Sequence, residues 1–318
     1  MTPHVLIVAG SDSSGGAGIV RDLETVSAFG LRSSLAVTAV TVQTHTRVER
    51  IEQMPPELVA EQMRAAFAAI SAGSSGQAGL ASVVPPPLAP PHKGEGDFAA
   101  RSPSFDFRWH WRQWRRNRFP PPCGEGLGVG VPSDARAMAG PVAAVKIGML
   151  GTAAAIDAVA AVLASSLPVP VVLDPVLAST SGRSLLDTDA IGALKRKLMP
   201  LCRLVTPNLP ELALLSGQPV APSQREIIRQ AEMLLATGVQ AVLVKGGHAE
   251  GDLSTDLLVT SDGTQHTFEA PRLPGTMRGT GCMLASAVAA KLALGAPLEA
   301  AVRRAKDYVF AKLLASIS

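Results

Sequence analysis

Short apolar runs in this chain alternate with segments of helical period, and almost every run stops at a loop of glycine, proline or small polar residues. His4–Ala9 is the first such run and stops at Gly10; Ile19, Leu23, Val26 and Phe29 then recur at helical spacing up to Gly30. Ser34–Val42 is rich in β-branched side chains and reads as a strand. Pro55-Pro56-Glu57 opens a helix with Val59, Met63 and Phe67 on one face. Later strands are expected over 144–150, 169–173, 204–206 and 241–245, with helices over 153–166, 188–199 and 223–237 between them. Two short β segments, near 256–260 and 267–270, precede helices over 281–293 and 298–315. Such alternation predicts an α/β fold with a mostly parallel sheet and helices on both faces. Ligands of these folds sit beyond the carboxyl ends of the strands.

Residues 72–140 break the pattern. They hold eight basic and five acidic residues, the whole of the chain's +3 formal charge, with 10 of its 25 prolines and all three tryptophans. No helical or strand period lasts through them, so they read as a mobile insertion within a single domain spanning 1–318. Arg108-Trp109-His110-Trp111-Arg112 and the arginines after it interleave aromatic and cationic groups, a pattern that can bind single-stranded nucleic acid. A competing reading gives the segment no selected function, because 85–96 and 120–126 resemble an in-frame translation of a palindromic intergenic repeat. The neutral remainder argues against a nucleic-acid partner. With 47% apolar residues the chain can bury a large core, and three cysteines exclude a disulfide scaffold. The richest apolar stretch, 153–178, is broken by Asp157, Pro168, Pro170 and Asp174, so no membrane partner is expected and a cytoplasmic location is.

Five loops after strands could carry chemistry. Gly10–Gly18 holds four glycines and leads into a helix N-terminus, where free N–H groups favour anions, though a plain tight turn has the same composition. Asp22 beyond it is either a dipole-stabilised first-turn acid or a ligand contact. Asp174-Pro175 ends an uncharged strand; the acid could hold a cation, or only start a turn. Asn208 and Glu211 stand three apart, as Mg²⁺ oxygens or as a simple helix cap with a first-turn acid. Lys245-Gly246-Gly247-His248 offers a lysine to a phosphate, with His248 read as a loop residue. Gly279-Thr280-Gly281-Cys282 opens a helix; its amides could form an anion hole and the dipole favours a Cys282 thiolate, against the reading of Cys282 as a small core residue. Together the five supply the parts of phosphoryl transfer: positioning and charge stabilisation.

In order along the chain, Ala9–Gly18, Lys146-Ile147-Gly148-Met149-Leu150, Val172-Leu173-Asp174-Pro175-Val176, Thr206–Glu211, Val244–His248 and Gly279–Cys282 resemble the motifs of the hydroxymethylpyrimidine/phosphomethylpyrimidine kinases, in the ribokinase-like superfamily. The resemblance covers 4–71 and 141–315. It implies a three-layer α/β/α fold, a homodimer, ATP and Mg²⁺, and two successive phosphorylations of a pyrimidine alcohol in thiamine biosynthesis. It places Gly10, Asp22 and Gln43 in the pyrimidine pocket with Met149 and Val176 on the ring. It puts Asn208 and Glu211 at Mg²⁺ and the ATP phosphates with Asp174 nearby, and Lys245 and Thr280 on phosphate. The amides of Gly279, Gly281 and Cys282 would form the anion hole, and Cys282 would be the base. A pyridoxal-type kinase and a non-catalytic precursor-binding module are the alternatives. Two departures stand out. Thr276-Met277-Arg278 replaces the usual Asn-Thr-His, adding a cation beside the phosphate site, and Thr180-Ser181-Gly182 replaces a frequent Lys-Ser-Gly.

Overall fold

The computed structural model describes residues 2–44, 47–68, 141–166, 168–177, 188–246, 251–274 and 277–317. The expected insertion at 72–140, Thr180-Ser181-Gly182, Gly247, His248 and Thr276 lie outside them. The described strands are β1 (His4–Asp12), β2 (Arg32–Gln43), β3 (Val48–Gln53), β4 (Val142–Ile147), β5 (Val171–Leu173), β6 (Leu204–Val205), β7 (Ala241–Val244), β8 (Leu253–Thr260) and β9 (Gln265–Pro271). They form one sheet in the order β3-β2-β1-β4-β5-β6-β7-β8-β9. From β2 to β7 every pairing is parallel; β3, β8 and β9 join antiparallel. The carboxyl ends of six strands therefore share one edge, which is where the polar loops lie.

The described helices are α1 (Gly18–Ala28), α2 (Pro56–Ala68), α3 (Ala153–Ser165), α4 (Thr188–Ala193), α5 (Leu209–Ser216), α6 (Gln224–Leu235), α7 (Thr280–Ala293) and α8 (Leu298–Ser316). Alternate residues of β1 face opposite layers, as the two-residue period of a strand requires. Leu6 and Val8 pack with Met63 of α2, Ile156 of α3 and Leu212 of α5. Val5, Ile7 and Ala9 pack with Val26 of α1, Val288 of α7 and Val302 of α8. Two apolar cores thus enclose the sheet, giving the expected three layers; each fully buried Leu or Ile contributes about 1.5–3 kcal/mol. α7 is apolar nearly all round because it lies between the sheet and α8, with every residue from Met283 to Ala290 buried. No helix among the described residues is long and apolar enough to cross a membrane.

Two local expectations are corrected. The helix expected over 188–199 is α-helical only to Ala193; Leu194–Leu198 widens into a π turn and Met199–Leu201 tightens into a 3₁₀ turn. Pro200 has no N–H for the α ladder, so the spacing must change before it. β3 went unforeseen because Val48-Glu49-Arg50-Ile51-Glu52-Gln53 is short and charged, the usual make-up of an edge strand.

Candidate active site

A cavity of ≈ 630 Å³ opens along the carboxyl edge of the sheet. Its centre is a charged cluster. Asp174 follows β5 directly and is 2% exposed. Lys245 follows β7 and sets its Nζ 2.7 Å from Asp174 Oδ1 and 3.8 Å from Glu211 Oε2. The Thr206 hydroxyl also donates to Asp174, at 3.3 Å. Burial alone would raise the Asp174 carboxyl, but the Lys245 and Lys146 ammoniums outweigh it and hold it below its ordinary value. Glu211 is less well served: burial, with Asp174 repulsion, pushes it up to about 7 against the pull of Lys245.

Asn208 and Glu211 form the helix cap that one of their two readings expected. Asn208 caps α5 by accepting from the Glu211 N–H, and Glu211 accepts from the Asn208 N–H, both at 2.8 Å. This capping box engages one lone pair of the Asn208 carbonyl oxygen on the helix. Both residues still line the cavity.

The far wall is the N-terminus of α7. Gly279 occupies the N-cap at φ 75 with no side-chain cap, so the first amides of the helix keep no side-chain acceptor. A Cβ at Gly279 would stand 2.5 Å from the Gly16 carbonyl oxygen, so only glycine lets the two loops touch. A Cβ built on Gly281 would stand 3.1 Å from Lys245 Nζ, which shows how near the lysine lies to this helix end. Gly279, Thr280, Gly281 and Cys282 all line the cavity. The expected thiolate is corrected. Burial pushes the Cys282 thiol up to about 11, and the Lys146 ammonium and a Gly18 backbone hydrogen bond only partly oppose it.

Gly10, Gln43, Met149 and Val176 line the cavity beside β1, β2, β4 and β5. Gly10 leaves room for Met149, whose terminal methyl would stand 2.6 Å from a Cβ there. Asp22 does not reach the cavity wall. It is fully buried in α1, 2.8 Å from Lys146 Nζ, and accepts the Ser286 hydroxyl at 2.8 Å. A carboxylate sealed from water needs such partners, and it found them in β4 and α7. Lys146 also lines the cavity; its signal in the sequence is a lysine inside the apolar run Val142–Ile147. Burial opposes the Lys146 charge, but Asp22, Cys282 and Asp174 overcome it and raise its ammonium above the ordinary value.

Two further features were missed, and a third, Arg278, was foreseen only as a cation beside the phosphate site. Asp256 accepts from the Gly246 N–H at 2.9 Å and from Lys306 Nζ at 2.8 Å, pinning the loop that carries Lys245. Arg278 donates to Ser14 Oγ at 3.0 Å and to the Thr44 carbonyl at 3.2 Å, joining three loops. Pro271, Leu273, Phe310 and Leu313 give the cavity a second apolar wall, across the charged centre from Met149 in the strand order.

Replacing Glu211 by glutamine separates the cap from the charge. Glutamine can still close the capping box, so helix α5 survives. The carboxylate's burial cost is absent below its unfolded value of about 4.5 and grows as pH rises through about 7. The unliganded Glu211→Gln protein is therefore expected to be more stable than the parent at pH 8, by about 1–3 kcal/mol, and equal to it near pH 4. Thermal unfolding at both pH values measures this.

A three-layer α/β/α sheet with a lysine, two carboxylates and an open helix N-terminus at one edge defines a ribokinase-like small-molecule kinase. The profile of the phosphomethylpyrimidine kinase family matches residues 12–75 and 133–318. The hydroxymethylpyrimidine/phosphomethylpyrimidine kinase of Rhizobium meliloti is 35% identical over 317 residues, 99% of this chain and 92% of that relative. The chain belongs to the phosphomethylpyrimidine kinase family. Among solved structures, a phosphomethylpyrimidine kinase from Clostridium difficile has a TM-score of 0.67 at 27% identity, covering 98% of this chain and 100% of that one. The pyridoxal kinase of Staphylococcus aureus, solved with AMP-PCP and pyridoxal, has a TM-score of 0.68 at 24% identity, covering 97% and 87%, and is similar in fold.

Proposed function

We propose that the protein transfers the γ-phosphoryl group of ATP to the hydroxymethyl oxygen of 4-amino-5-hydroxymethyl-2-methylpyrimidine, and then phosphorylates the monophosphate to the diphosphate, in thiamine biosynthesis. The observation that carries this reading is the convergence of Lys245, Asp174, Glu211 and the uncapped end of α7 in one cavity. Gly10, Gln43, Met149 and Val176 seat the pyrimidine. The opposite wall, with Phe310 and Leu313, takes the nucleotide base, and Asn208 and Thr280 border the phosphates. Among the described residues there is no group of three or more His, Cys, Asp or Glu side chains able to cage a metal. Mg²⁺ asks for less, one or two carboxylates with water and substrate phosphates, and Asp174 and Glu211 fit that need. Bound there, the ion supplies charge neutralisation on the phosphates.

Lys245 and the amides of Gly279, Gly281 and Cys282 stabilise the negative charge of the group in transit. In the first step an oxygen–phosphorus bond forms at the hydroxymethyl group, the β,γ-bridging bond breaks, and ADP leaves with the electron pair. The hydroxyl proton passes to Cys282 Sγ in the fraction of molecules whose thiol is ionised. Asp22 acts from behind, fixing Lys146 beneath this thiol. The assembly we propose is a homodimer, supported by the bare apolar side chains of Val40 and Val42 on β2, 45% and 52% exposed.

The test is ADP release from Mg-ATP with the pyrimidine alcohol, with pyridoxal as a competing acceptor. Preferred use of the alcohol is expected. Preferred use of pyridoxal would favour the pyridoxal-kinase reading, and tight binding of the alcohol without turnover would favour a precursor-binding module.

A further inference from the structure

The cations around the cavity are not equally engaged. Lys146, Lys245 and Lys306 each hold a buried carboxylate oxygen, at 2.8, 2.7 and 2.8 Å. Arg272 donates to the carbonyls of Gly251 and Leu253, at 2.8 and 3.2 Å. Arg278 differs. Its acid, Asp12, stands 3.5 Å away and makes no hydrogen bond to it. Asp12 Oδ1 is spent on the Ser14 N–H and hydroxyl, while Asp12 Oδ2 and Arg278 Nε are buried without a hydrogen-bond partner among the described residues. The guanidinium lines the cavity and its residue immediately precedes Gly279, where the open end of α7 begins. A cation with a loose partner and an idle donor, beside an anion-binding helix end, is equipped to take an anionic oxygen.

We propose that Arg278 is the residue that selects the anionic acceptor, binding the phosphate of the pyrimidine monophosphate during the second phosphorylation. The proposal rests on the two-step kinase reading above. The alcohol is neutral, whereas its monophosphate carries about −1.5 to −2 charge near pH 7. Seating that charge beside Asp174, Glu211 and a nucleotide triphosphate needs a further cation, and Arg278, whose Nη1 alone is spent on Ser14 and Thr44, supplies it. In this step a non-bridging oxygen of the acceptor phosphate bonds to the γ-phosphorus, the β,γ-bridging bond breaks, and ADP leaves with the pair. The acceptor oxygen is already ionised, so no proton has to be removed.

The experiment compares kcat/KM for the two acceptors in the unmutated protein, Arg278→Gln and Arg278→Lys, with calorimetric binding of the monophosphate in the absence of nucleotide. Glutamine loosens the loops that Arg278 joins, so use of both acceptors falls. The ratio of monophosphate to alcohol kcat/KM falls a further ~10-fold or more, and monophosphate affinity drops by a similar factor. Lysine, which keeps the charge but not the planar fork, restores only part of the lost ratio. An unchanged ratio in Arg278→Gln, or unchanged monophosphate affinity, would overturn the proposal and leave Arg278 a brace between loops. Failure of the unmutated protein to phosphorylate either acceptor would overturn the kinase reading, and this inference with it.

Discussion

Cys282→Ala lowers kcat for the pyrimidine alcohol by about 10²–10³-fold, the usual worth of a positioned general base, while KM stays within a few-fold. On the proposed seating the ring rests on Met149 and Val176, which the substitution leaves in place, so binding should be largely spared. The loss should be smaller for the monophosphate, whose attacking oxygen carries no proton near pH 7. A pH profile adds an independent check. With the thiol pushed up to about 11, the thiolate fraction grows tenfold per pH unit through the neutral and mildly alkaline range. Turnover of the alcohol should therefore climb with pH in the parent and flatten in the alanine variant. Equal losses for both acceptors, or a flat profile in the parent, would remove Cys282 as the base. Because Arg278 is assigned to the anionic acceptor and Cys282 to the neutral one, the two variants should shift acceptor preference in opposite directions.

Lys146→Met should destabilise the fold by about 3–5 kcal/mol, since it leaves the fully buried Asp22 carboxylate without its cation. Ser286 remains as a single donor, which is too little for a sealed charge. The pH dependence follows. Burial already raises the Asp22 carboxyl above its ordinary value despite the pull of Lys146; without Lys146 it rises further, so protonated Asp22 is tolerated and ionised Asp22 is not. The deficit is small below about pH 4 and grows as pH rises through the folded-state value. Adding Asp22→Asn should recover much of the loss, because the neutral amide can keep the Ser286 hydroxyl as a donor. Denaturant unfolding of the parent, single and double variants at pH 5 and 8 measures both effects. A single variant as stable as the parent at pH 8 would show that the pair does not hold α1, β4 and α7 together.

The parallel strands and the loops at their ends were legible because each signal is local. Glycine and proline mark where β5, β6 and β7 stop, whereas β1 shifts register at Gly10 and runs on to Asp12; the alternation of periods points to the edge the loops share. Twelve of the thirteen expected site residues line one cavity for that reason. What was not legible depends on partners far along the chain. Asp22 and Lys146 are 124 residues apart, and nothing near Asp22 tells that a lysine will seal it. Asp256 and Lys306 are 50 apart and read as ordinary surface charges. The rise of the Cys282 thiol likewise depends on what surrounds the helix end; the dipole could be read from sequence and the desolvation could not. β3 and the π turn before Pro200 were lost for the opposite reason, their local signals being weak or mixed.

The central claim is that loops at one sheet edge bring a triphosphate and a small aromatic alcohol together for two successive transfers. The most direct measurement follows the pyrimidine by ³¹P NMR during incubation with the purified protein and Mg-ATP. The account predicts a phosphomonoester signal that appears first and then gives way to the paired resonances of a diphosphate. Consumption of ATP with no phosphorus signal attached to the pyrimidine would contradict it.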